Sequence, residues 1–92
     1  MIERFISHIQ SEKRYSEHTI KSYRRDICQF SDYVKETYDI DNLLLVDTPI
    51  IRSYMIDRKE KGMENRTINR KVSALRSFYE YYVREKQIKT TP

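Results

Sequence analysis

The stretch NRTINRKVSALRSFYEYY, Asn65 to Tyr82, holds two patterns at once. Ile68, Val72, Leu75, Tyr79 and Tyr82 recur every three or four residues, the spacing that lines one face of an α-helix. Around that line stand four basic residues, Arg66, Arg70, Lys71 and Arg76, with no acid before Glu80. A helix that only packed would have no need of so one-sided a charge. The stretch therefore predicts an amphipathic helix, reaching Glu85 or Lys86, with something anionic on its outer side. At about 100° per residue that side carries Arg66, Arg70, Ser73, Ser77 and Arg84. Thr67, Asn69 and Arg76 lie close to it, and Tyr81 is expected to be exposed beside them.

Working back along the chain, the same periodicity predicts three more helices. Ile2, Phe5, Ile6 and Ile9 share a face over about Ile2–Lys13. Ser16 is a candidate N-cap for a second helix, with Glu17 in its first turn and Ile20, Tyr23, Ile27, Phe30 and Val34 as its stripe, ending near Thr37. The run Leu43, Leu44, Leu45, Val46 has no partner strand in view and is expected to be a loop pinned to the core. Thr48 before Pro49 suggests a cap and a first helical position for a third helix packed through Ile51, Tyr54 and Met55. Gly62 is its natural left-handed terminator, and Asn65 is the expected cap of the fourth helix.

Composition agrees with a small helical domain. The chain has 92 residues, with one Gly and two Pro, too few turn formers for a many-stranded sheet. A single cysteine, Cys28, excludes an intramolecular disulfide, and no His/Cys cluster has metal-ligand spacing. No cofactor and no metal are expected. With no long apolar run and no signal pattern, the sequence points to a cytoplasmic protein without a membrane partner.

The net charge of +4 is unevenly spread. Residues 14–25 carry Arg14, Lys21, Arg24 and Arg25 against Glu17, and residues 66–76 carry four cations and no acid. Residues 26–60 hold eight acids against four bases. On the outer face of the second helix stand His18, Lys21, Ser22, Arg25 and Gln29, followed by Asp32 and Glu36. Both helices thus place cations early, against the helix macrodipole, which favours anions at the N-terminus by ~0.3–1 kcal/mol each. An anionic ligand near both N-termini would resolve the conflict, and duplex DNA is the obvious polyanion. The bland alternative is an ordinary solvated charged face.

These segments also resemble a known family. YSEHTIKSYRRDICQFSDYV, with Thr19, Tyr23, Asp26 and Phe30 at fixed offsets, resembles the helix pair opening the core-binding domain of tyrosine recombinases of the Xer and phage-integrase type. TPIIRSYMIDRKEKG resembles that domain's third helix, and NRTINRKVSALRSFYEYYVREKQI its last. The resemblance implies an all-α, four-helix SAM-like bundle over residues 1–88, with residues 89–92 starting a linker to a catalytic domain. It implies a DNA-binding piece of a site-specific recombinase that clamps duplex DNA through its second and fourth helices. No catalytic residue is expected in this segment. The full-length parent would act as a homotetramer on DNA, and the segment alone would be monomeric. A helical protein–protein interaction module is the competing class.

The candidate contact residues are therefore His18, Thr19, Lys21, Ser22 and Arg25 on the second helix, and Arg66, Thr67, Asn69, Arg70, Ser73, Arg76 and Ser77 on the fourth. Thr19 is read as a phosphate contact, with a bond to a backbone carbonyl one turn back as the alternative. Arg24 and Asp26 read as surface charges, and Arg76 as a core-edge residue whose head reaches out. Tyr23, Tyr54, Tyr79 and Tyr82 read as core, His8 and His18 as isolated, and Cys28 as a partly buried apolar residue.

Overall fold

A computed structural model describes residues 1–92 as four α-helices and one 3-10 turn, with no strand. Helix α1 spans Ile2–Ser11, α2 Glu17–Tyr38, α3 Thr48–Glu60 and α4 Asn65–Arg84. The all-α, four-helix expectation is met. Helix α1 is two residues shorter than its periodicity suggested. Ser16 caps α2 as expected, its side chain accepting from the Thr19 N–H at 3.2 Å.

Two caps fall one residue earlier than the sequence suggested. Asp47, not Thr48, caps α3: its carboxylate accepts from the Ile50 N–H at 3.4 Å, and Pro49 sits in the first turn, where no N–H is missed. Glu64 occupies the N-cap position of α4 without a side-chain bond, and Asn65, already helical, accepts from Lys59 Nζ at 2.7 Å. Gly62 does close α3. With φ at +86° it lets the Met63 N–H reach the Arg58 carbonyl and its own N–H reach Lys59, a Schellman arrangement.

The leucine run is neither strand nor plain loop. Leu43–Leu45 forms a 3-10 turn capped by Asn42, which sinks Leu43 and Val46 into the core and leaves Leu45 outside. The Tyr79 hydroxyl donates to the Leu43 carbonyl at 2.7 Å and ties this turn to α4.

Helix α4 packs on both α2 and α3, and α1 lies across α2. That central position explains why α4 buries more than one line. Ile68, Leu75, Tyr79 and Tyr82 are buried as expected, whereas Val72 is only half-buried. A second stripe of Lys71, Ala74, Phe78 and Tyr81, again at spacings of three and four, is buried with them. Tyr81 is thus not exposed. Phe5 of α1 covers it, with ring centroids 5.8 Å apart, and packs edge-on to Phe78 at 5.6 Å.

No helix is long and apolar enough to cross a membrane. Cys28 is partly buried, as read, and burial pushes its thiol above the usual range.

Candidate nucleic-acid interface

The site begins with a side chain that the sequence reading left on the surface. Asp26 falls between Tyr23 and Phe30 on the inward stripe of α2 and is 1% exposed. A bare carboxylate at that depth would be prohibitively costly, so it must be paired. Two cations of α4 reach it. Lys71, itself buried, donates from Nζ to Asp26 Oδ1 at 3.0 Å and also to Gln29 Oε1. Arg70 grips the same carboxylate with a two-pronged fork, Nε to Oδ2 at 3.2 Å and Nη2 to Oδ1 at 3.1 Å. Arg70 was expected to point away from the core. Its backbone does lie on the outer side, but the long side chain folds back to the carboxylate while remaining about half exposed (47%).

Above this cluster lies an open groove of about 360 Å³ between α2 and α4. It brings together six of the twelve predicted contact residues: His18, Thr19, Ser22 and Arg25 from α2, with Arg70 and Ser73 from α4. Tyr23, Asp26 and Ala74 complete its wall. The remaining six do not line it. Asn69 faces a separate depression beside Ile56 of α3, and Ser77 another beside His8 and Phe5 of α1. Lys21, Arg66 and Arg76 are exposed and Thr67 is half-buried, all outside the groove.

Several cations of this face are left without an intramolecular partner. No carboxylate lies within ion-pair distance of Lys21, Arg25, Arg66 or Arg76. By contrast, Arg24 pairs with Glu3 of α1, and Arg4 pairs with Glu85 at 2.7 Å, so these cations serve the packing of α1. Thr19 does not bond the backbone carbonyl one turn back: its hydroxyl oxygen accepts from Ser16 Oγ at 3.0 Å within the α2 cap. Its own O–H remains free to donate toward the groove.

Asp26 and Lys71 were the residues that sequence reasoning missed. A signal for them existed. Lys71 stands three residues after Ile68 and four before Leu75, and Asp26 three after Tyr23 and four before Phe30. Opposite charges on the inward stripes of two helices are expected to find each other.

The chain matches the family described as phage integrase, N-terminal SAM-like domain, over residues 2–86. It belongs to that family. Among curated relatives it is 40% identical over 88 residues to the tyrosine recombinase XerC of Bacillus licheniformis, covering 96% of this chain and 29% of that protein. It is 37% identical over 93 residues to XerC of Bacillus subtilis, covering 99% of this chain and 30% of that protein. Against the tyrosine recombinase XerD of Staphylococcus aureus it is 33% identical over 92 residues, which is 100% of this chain and 31% of that protein. The chain thus spans about three-tenths of the length of these relatives and corresponds to the N-terminal domain of tyrosine recombinases. No solved structure gives a significant match.

Proposed function

We infer that this domain binds duplex DNA through the face built by α2 and α4, as the DNA-grasping part of a site-specific tyrosine recombinase. The observation that carries the reading is the groove in which Arg25, Arg70, Thr19 and Ser73 converge, on a face where Arg70 alone of the exposed cations is paired, with the buried Asp26. The N-terminus of α4 adds to it, since Glu64 at its N-cap position makes no side-chain bond to the helix and no acid lies within its first turn. Phosphate oxygens supply the missing negative charge, while the small Ser22 and Ser73 leave room for a sugar–phosphate strand to approach. The contact set extends from the groove to Lys21, Arg66, Thr67, Asn69, Arg76 and Ser77. In the parent protein residues 89–92 lead toward the domain that performs strand exchange, and the assembled enzyme acts as a homotetramer on two DNA sites. The domain by itself supplies binding and no chemistry.

Isolated, the domain should bind duplexes of arbitrary sequence with a dissociation constant of ~10⁻⁴–10⁻⁶ M at physiological salt, weakening linearly in log salt. Amide shifts on titration should start in 16–29 and 65–77. Shifts centred on 38–60, or an affinity indifferent to salt, would replace this reading with a protein-docking one.

A further inference from the structure

A buried carboxylate lies under the groove, paired with two cations of α4. Asp26 carries one negative charge, and Lys71 alone, with its side chain 5% exposed, suffices to neutralise it. Arg70 is therefore a surplus cation at the groove floor. Its charge is not cancelled, but its position is set, because both Asp26 oxygens accept from one edge of the guanidinium. The remaining nitrogen, Nη1, makes no bond within the protein, and Arg70 lines the groove together with Arg25, Ser73 and Thr19. A flexible arginine loses side-chain entropy when it grips a ligand; one already clamped from behind has lost it on folding. Lys71 in turn donates to Gln29, a second tether on the cluster.

We propose that Asp26 is a positioning residue for anion recognition: with Lys71 as its neutralising partner it pre-orients Arg70, so that the α2–α4 groove seats one backbone phosphate of DNA in a fixed register. This rests on the DNA-binding reading above and adds to it a specific anchor point and a residue that never touches the ligand. Thr19 and Ser73 hydroxyls and the Arg25 guanidinium complete the seat.

The test compares the 92-residue chain with Arg70→Ala, with the paired replacement Asp26→Leu/Lys71→Met, and with all three changes together. Removing both buried charges at once avoids leaving either one stranded, and so keeps the fold. Binding to a fluorescent duplex of arbitrary sequence is followed by anisotropy at several salt concentrations, at a temperature where circular dichroism shows every variant folded. Arg70→Ala should weaken binding on the order of 10-fold and lower the salt slope by ~0.9. The paired replacement, which keeps Arg70, should weaken binding by a similar factor, and the triple variant should lose little more than either. In NMR spectra the Arg70 Nε–H signal should be sharp and slowly exchanging in the wild type and lost to exchange in the paired variant. Wild-type affinity in the paired variant, or losses that simply multiply in the triple variant, overturns the positioning role and leaves DNA binding intact. Absence of any salt-dependent binding by the wild type overturns the DNA reading and this proposal with it.

Discussion

Lys71 shows how much one side chain can carry when it sits inside. It is buried against a carboxylate that is buried more deeply still. Lys71→Met alone leaves Asp26 with only the half-exposed Arg70, and breaking a buried pair in this way costs ~3–5 kcal/mol. Adding Asp26→Leu should recover most of that loss, and urea denaturation of the two variants measures both numbers. A single variant as stable as wild type would mean that Arg70 satisfies the carboxylate unaided. The buried tyrosines supply a second residue-scale expectation. Burial raises the hydroxyl pKa of Tyr79 well above the tyrosine range and that of Tyr54 and Tyr82 in the same direction. The folded state therefore holds its phenolic protons more tightly than the unfolded chain does. That stability is fully present below the unfolded value of ~10 and drains away as pH rises beyond it. Tyr79→Phe should give up ~0.5–1.5 kcal/mol at neutral pH, since the Leu43 carbonyl keeps the Val46 N–H as a donor. The variant should then decline less steeply than wild type at alkaline pH. Parallel slopes in denaturation midpoint against pH would contradict this.

At the scale of the element, the informative discrepancy is the start of α3. Threonine before proline reads as cap and first position, yet the chain places the cap one residue earlier. Both registers accommodate Pro49, because neither of the first two helical N–H groups has an intrahelical partner. Asp47 wins because a carboxylate accepts more strongly than a hydroxyl and adds charge at the positive end of the helix. Asp47→Ala should consequently cost ~1 kcal/mol, and Thr48→Ala no more than ~0.5 kcal/mol. Thermal melts of the two variants decide between the registers, and the opposite ranking would restore Thr48 as the cap. Helix α4 had the same ambiguity and resolved it without any side-chain cap.

Across the whole molecule, the central fact is that a chain of 92 residues builds one core, to which α4 contributes more buried residues than any other helix. Domains of this size are stabilised by roughly 5–14 kcal/mol in total. Phe78 is fully buried and touches the rings of Phe5, Tyr79 and Tyr82, so it joins α1 to α4. Phe78→Ala should remove ~3–5 kcal/mol, a large share of that total, and loosen α1 together with the second stripe of α4. Hydrogen exchange should report the loss first in Phe5, Ile6 and Ile9, before α3 is affected. Protection lost in α3 first would place the weak seam elsewhere.

Most of the architecture was legible in the chain itself. The number and approximate extent of the helices, the Gly62 terminator and the outward rows of cations all follow from neighbours within one or two turns, and local periodicity reports those directly. The family was legible for the same reason, because its motifs lie within single helices. Tertiary structure alone decided which charges meet. Asp26 and Lys71 are 45 residues apart, and their pairing depends on how far α2 and α4 rotate about their axes once Ile27, Phe30, Leu75 and Phe78 interlock. It likewise decided that Tyr81 is buried, since only the docking of α1 covers it, and that six of the predicted contacts share one groove while the others lie outside it. A pattern along one helix gives the direction of each side chain from its own axis. Only packing fixes what stands opposite.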